Sequence, residues 1–358
     1  MVKLVLTEDE TMLADAARGF LDKSAPVKAF RDLRDAGKTH DDKMWKEMAA
    51  MGWAGVLVPE SAGGSDMGHA AAGVLAQEMG KTLVVSPFLS TAVIAATALR
   101  HVSDARAEAA LAKIASGEAT YALAVDETSK FNPDATAMIA TSEGNGFRLT
   151  GKKTFVVDGA LADRLLVLAK TDTGLTLFDI PADRAGVTRT AQNMIDARDS
   201  ARIDFDNVEA TGDDVLGQVD SAMTVLKPAI EAGQAALAAE MAGLSAGAFG
   251  MTVGYLKERK QFGTLIGSFQ ALQHRAVLHA GRKLDEDPDN ATMAVSLAKA
   301  RATSTAQLAV QEGVQMHGGI GMTDAFDIGF YMKRARVGAE WLGDYGYHAN
   351  QVAKHRRF

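Results

Sequence analysis

The sequence contains no cysteine, which excludes disulfide staples, thiolate metal sites and a cysteine nucleophile. It also lacks any excess of positive charge. With 38 lysines and arginines against 45 aspartates and glutamates the net charge is −7, which argues against a general affinity for nucleic acid or an anionic membrane. No apolar run approaches the roughly 20 residues of a membrane helix. No signal-peptide core opens the chain either, because Glu8-Asp9-Glu10 arrives before one could form. These absences lead to the expectation of a cytoplasmic protein with no resident metal, no nucleic-acid partner and no membrane association. What is present is ordinary globular material: 358 residues, 47% hydrophobic and 23% charged, enough for roughly two or three packed units.

Three zones differ in period. Residues 1–119 read as a helical domain. Thr7 and Glu10 have the spacing of a capping box, and Leu13, Ala16, Ala17 and Phe20 follow at helical intervals. The stretch Trp53–Glu60 interrupts the pattern and Gly63-Gly64 marks a loop. Residues 120–220 read as a small, mostly antiparallel β domain. Gly144-Asn145-Gly146 precedes the alternating Phe147–Thr150, and Asp172-Thr173-Gly174 separates Leu165–Leu168 from Leu175–Phe178. Residues 221–358 return to helix. Leu226, Ile230, Leu237, Met241, Leu244, Met251 and Tyr255 predict one long helix, and a further helix runs through Met293–Val310 beyond a polar connection at 285–290. The fold class expected is α+β: helices, then strands, then helices.

Two short stretches carry possible chemistry. His317-Gly318-Gly319-Ile320-Gly321 could let a backbone approach a phosphate or could simply end a helix. No strand precedes these glycines, so a Rossmann site is disfavoured. Glu258-Arg259-Lys260-Gln261-Phe262-Gly263 could be a solvated helix end, where cations are favoured by the helix dipole.

A family resemblance favours the chemical reading of both. Leu256–Gly263 followed by Ile266–His274, and later Val314–Thr323, closely resemble the two signatures of acyl-CoA dehydrogenases at the expected separation. Trp53–Glu60 with Gly63-Gly64, Ile114–Glu118 and Gly151–Ala160 resemble further family segments in the same order. The resemblance implies an N-terminal α-helical domain, a central antiparallel β-barrel-like domain and a C-terminal four-helix domain. It implies a dimer of dimers, FAD spanning two subunits, an acyl-CoA substrate dehydrogenated at its α and β carbons, and an electron-transfer flavoprotein as electron acceptor. By position, Arg259 is implied at the FAD pyrophosphate, Phe262 near the adenosine, and Gln270 and Gln315 as hydrogen-bond partners. Gly318 and Gly319 are implied where a backbone nears the pyrophosphate. All six serve the cofactor of a neighbouring subunit.

The departures are equally specific. In Glu340-Trp341-Leu342-Gly343-Asp344, Leu342 occupies the position of the family's catalytic Glu, and Gly233 occupies the alternative position on the long helix. Asp344 and Glu340 are nearby carboxylates, Asp344 being the candidate for a displaced base, and Glu231 and Glu240 lie on the long helix. The Gly-rich stretch that meets the flavin ring is replaced by Ala124–Asp134, and Phe155-Val156-Val157 lacks the Thr hydroxyl of the usual Trp-Ile-Thr. The pattern resembles the smaller subunit of heteromeric acyl-CoA dehydrogenases, with a homologous partner supplying the base. Two alternatives stand beside it: an active homo-oligomer using Asp344, and a noncatalytic packing or regulatory subunit that binds no FAD.

Overall fold

The computed structural model describes residues 5–258 and 280–356. Its first helix, α1 (Glu8–Ser24), opens on the expected capping box, with Glu10 N donating to Thr7 Oγ1 and Thr7 N donating to Glu10 Oε2. Next come α2 (Val27–Asp35), α3 (Asp42–Ala50) and α4 (Gly68–Thr82). The loop expected between α3 and α4 is present, and it requires glycine at one point. A Cβ on Gly64 would stand 2.0 Å from the Val58 carbonyl oxygen. Beyond α4 the chain forms a fully buried π-helical segment, Phe88–Ala95, then α5 (Ala96–Arg100) and α6 (Ala105–Ala115).

Seven strands follow: β1 (Tyr121–Ala124), β2 (Ile139–Glu143), β3 (Gly146–Val157), β4 (Arg164–Lys170), β5 (Leu175–Pro181), β6 (Val187–Ala191) and β7 (Ser200–Thr211). They pair in the order β1-β4-β2-β3-β7-β6, with β5 also on β4. The two hairpins expected from the turn residues are present. Glu143 pairs with Gly146 around Gly144-Asn145, and Lys170 pairs with Leu175. Not every pairing is antiparallel: β1 runs parallel to β4, and β2 touches β4 in parallel at Ile139 and Lys170. Alternation of apolar residues reports which face is buried and not which strand lies beside it. The buried face carries Leu149, Val156, Leu165, Val167, Phe178 and Ile203, each worth roughly 1.5–3 kcal/mol of burial.

The chain then enters α7 (Ala222–Glu258), and the later helices are α8 (Thr292–His317), α9 (Ile328–Glu340) and α10 (Tyr345–His355). Contrary to the expectation of no such run, α7 is long and apolar enough to cross a membrane. However, 67% of its most apolar window is buried inside the protein, as in a core helix. Against α4 its backbone approach is close. A Cβ on Gly80 would lie 2.1 Å from Glu240 O, one on Gly243 1.9 Å from Gln77 O, and one on Gly247 2.5 Å from Lys81 O. By internal contacts the chain forms two compact units. One takes the chain up to Lys38, Gly68–Val85 and the chain from Gln234 onward; the other takes Thr39–Met67 and Ser86–Gly233.

Candidate functional site

The turn between α9 and α10 contains position 342, where the sequence resemblance places the family's base. Trp341 leaves the helix, its N–H still reaching Val337 O, and Leu342 then adopts a left-handed backbone at φ +57°. That conformation is uncommon for a bulky L-residue and costs about 1–3 kcal/mol. Gly343 follows at φ +104°, where a Cβ would stand 2.5 Å from Tyr347 Cδ1. Asp344 accepts from Tyr347 N at 2.8 Å and so N-caps α10. Leu342 itself is 2% exposed.

Three buried polar side chains converge on this turn. Gln234 Nε2 donates to Leu342 O at 2.9 Å, and His348 Nε2 meets the same oxygen at 3.2 Å. Lys299 Nζ donates to Gly338 O at 2.8 Å and to Gly343 O at 3.3 Å. Burial pulls the Lys299 ammonium down to about 7, opposed by the charges of Glu340 and Asp344. Burial, with the nearby Lys299 charge, holds the His348 ring at about 3, so it is neutral. The other candidate carboxylates have partners. Glu240 meets Arg334 at 3.3 Å, Glu340 meets Arg336 at 3.3 Å, and Glu231 lies 3.9 Å from Lys227. Gly233, one residue before Gln234, is buried in α7.

The second signature ends α8. Gly318 takes φ +63° and ψ −144°, a region open essentially to glycine alone. The helix-end reading therefore applies to Gly318. Gly319 differs, since a Cβ there would meet nothing within 4 Å among the described residues. Gln315 and Gly319 are exposed, and Ile320 and Met322 are 42% and 84% exposed beside them. Behind the turn, His317 is buried and stacks on Tyr255 at 4.4 Å, with its Nδ1 2.6 Å from Gly313 O. Arg31 and Arg34 from α2 bind Asp327 and Asp324 and lie 4.5 Å over the Phe330 ring. This backing of the turn was not foreseen from the sequence, because its residues are scattered along the chain. Arg259, Phe262 and Gln270 lie outside the described residues.

The stretch Ala124–Asp134 has its own ionic centre. Lys153, wholly buried, donates to Glu127 Oε1 at 2.6 Å and to Val125 O at 3.3 Å. Glu127 also accepts from Ala137 N and Met138 N, and these bonds with Lys153 hold its carboxyl below the usual range against the cost of burial. Asp126 is the contrast. Its Oδ1 is buried without a hydrogen-bond partner among the described residues, and burial raises its carboxyl to about 7 despite Lys153.

Residues 7–118 match the family model of the acyl-CoA dehydrogenase N-terminal domain, and residues 223–356 match that of the C-terminal domain. Acyl-CoA dehydrogenase IpdE2 of Mycobacterium tuberculosis is 31% identical over 343 residues, covering 94% of this chain and 93% of the relative. The Tcur3481–Tcur3483 steroid ACAD structure is 27% identical with a TM-score of 0.84, covering 98% of each chain. The ChsE4–ChsE5 complex of Mycobacterium tuberculosis superposes with a TM-score of 0.87 at 24% identity, over 99% of this chain and 98% of the other. The helix–sheet–helix order thus defines an α+β protein of acyl-CoA dehydrogenase fold. The chain belongs to the acyl-CoA dehydrogenase family, whose members are FAD-binding oxidoreductases.

The α8 turn fits that cofactor in one respect visible here. Gly319 leaves open, on an exposed turn, the space a Cβ would fill, as close approach of a pyrophosphate requires.

Proposed function

We propose that this chain is one subunit of a heteromeric acyl-CoA dehydrogenase in which a homologous partner chain supplies the carboxylate base. The observation that carries the reading is the turn at position 342. A leucine stands where the resemblance places the base, and the neighbouring carboxylates of Asp344 and Glu340 are engaged in capping α10 and in facing Arg336. The names of two structural relatives, Tcur3481–Tcur3483 and ChsE4–ChsE5, each pair two chains. The former is named as a steroid ACAD, which favours a bulky acyl-CoA as substrate class.

In this assembly Gln315, Gly318 and Gly319 act with Arg259, Phe262 and Gln270 on an FAD shared with the neighbouring subunit. Arg259 offers a delocalised cation and paired donors to phosphate oxygens. Gly318 and Gly319 admit the pyrophosphate to the backbone, and the two glutamines hydrogen-bond the adenosine end. When bound, the cofactor supplies the acceptor for a hydride from the substrate β-carbon. The α-proton passes to the partner's carboxylate, since Leu342 has no basic oxygen. Such a base is worth typically about 10²–10⁴-fold in rate. Electrons leave to an electron-transfer flavoprotein.

The chain purified alone should show negligible dehydrogenation of straight-chain acyl-CoAs with an artificial acceptor. Flavin absorbance and turnover should appear together when a homologous partner is co-purified. Turnover by the chain alone, abolished by Asp344→Asn, would move the base to Asp344 and end the subunit reading.

A further inference from the structure

We propose that Lys299, Gln234 and His348 are positioning residues that lock the Leu342–Gly343 turn so that position 342 faces the acyl-CoA, leaving this chain with the socket of a base whose side chain it lacks. The inference rests on the reading above, in which position 342 corresponds to the base.

The locking groups come from three helices, α7, α8 and α10, and are 3%, 0% and 0% exposed for Gln234, Lys299 and His348. Burying such groups is unfavourable unless they are hydrogen-bonded. Their hydrogen bonds go to the main chain of one turn and its approach, apart from Lys299 to Thr303 Oγ1 at 3.3 Å. Leu342 O receives two donors, at 2.9 Å from Gln234 and 3.2 Å from His348, so both its lone pairs are occupied. A carbonyl only accepts, which fixes the His348 proton on Nε2 and leaves the buried Nδ1 without a partner. Lys299 ties Gly338 O, in the last turn of α9, to Gly343 O beyond it. Its charge lies where the dipole of α9 favours a cation. The groups facing Lys299 are Glu340 on α9, Asp344 in the turn and His348 on α10.

Were this turn only a connection between helices, a residue at ease with a left-handed backbone would serve. Instead a leucine is held at φ +57°. Strain of this kind persists only where the surroundings over-determine it, and here two buried side chains are directed at the residue's own carbonyl and a third at the carbonyls of Gly338 and Gly343. These bonds hold the backbone at position 342 whatever side chain it carries.

Two measurements test this. Amide hydrogen exchange is followed at Gly343 in the intact chain, in Lys299→Met and in Gln234→Leu. Each variant should accelerate it at least tenfold relative to amides in the middle of α7. Second, the complex is prepared with glutamine in place of the partner's base, and Leu342→Glu is introduced into this chain. Deuterium uptake at the α-carbon of an acyl-CoA in D2O then reads proton abstraction alone: the carbon gives a proton to the carboxylate and regains a deuteron, and no electron leaves. Leu342→Glu should restore uptake at least tenfold. Adding Lys299→Met should remove most of that gain and raise the pH midpoint of the remainder, because a nearby positive charge is lost; a purely structural role would leave the midpoint in place. Unchanged exchange at Gly343 in both variants overturns the lock, whatever position 342 does. An accelerated Gly343 with no uptake from Leu342→Glu overturns the socket, and the assignment of position 342 to the base falls with it.

Discussion

Arg334 on α9 directs Nη1 at Oε1 of Glu240 on α7, 3.3 Å away, and the two side chains are only 3% and 8% exposed. The same guanidinium also donates to the carbonyls of Leu83 and Val84, so it fastens the end of α4 as well. Removing one partner of a buried ion pair costs about 3–5 kcal/mol. Arg334→Met and Glu240→Gln should each lower the urea midpoint by a corresponding amount, and Arg334→Met with Glu240→Leu should recover part of the loss. Glu240→Gln should not change turnover per folded complex.

Asp344 is expected to behave as a helix cap. Asp344→Ala should cost roughly 1 kcal/mol of stability, whereas Asp344→Asn should cost only a few tenths, since asparagine caps about as well. Turnover of the assembled complex should remain within about twofold for both. A loss of a hundredfold in Asp344→Asn, with normal stability, would reassign the base.

The paired glycines of α8 should separate from each other. Gly318→Val forces a β-branched residue to φ +63° and should destabilise the chain by about 1–3 kcal/mol. At Gly319 an added Cβ meets nothing within 4 Å among the described residues, so Gly319→Val should leave the melting temperature unchanged while the complex loses flavin on gel filtration. Arg259→Ala, which would remove the proposed charge-assisted bond to the pyrophosphate, worth about 1.5–3 kcal/mol, should weaken flavin retention at least tenfold. Normal retention in both variants would remove this turn and segment from the cofactor site.

Two buried groups should impose opposite pH slopes on stability. Asp126 is raised to about 7 when folded and ionises near 4 when unfolded. The unfolded chain therefore loses this proton first, and stability falls as pH rises from about 4 to 7. His348 is lowered to about 3 when folded against about 6.5 unfolded, so its contribution is complete above pH 6.5 and is lost as pH falls towards 3. Asp126→Asn should remove the first slope and His348→Gln the second, read from denaturation midpoints between pH 4 and 7.

Local features were legible in the sequence because their causes are local. The Thr7–Glu10 cap, the Gly144-Asn145 hairpin and the 37-residue α7 each follow from residues a few positions apart. The parallel pairing of β1 with β4 was not legible, since burial alternation is the same for either direction. Nor was the set around Leu342: Gln234 lies 108 residues from the oxygen it binds, and Lys299 reads in sequence as one more lysine on a helix. Even the apolar length of α7 misleads by itself, because an interior helix and a membrane span share that composition.

The contacts of Gly80, Gly243 and Gly247 bear on how relatives of this chain should be compared. At each of them a methyl group would strike main-chain oxygen of the opposing helix, which cannot rotate out of the way as a side chain can. Invariance of these three columns among related sequences would then record a steric limit on the distance between two helix axes, and would carry no information about flavin, substrate or partner. Covariation offers the sharper signal. A relative with alanine at one of these positions should have its α4 and α7 axes farther apart, with larger side chains filling the widened seam.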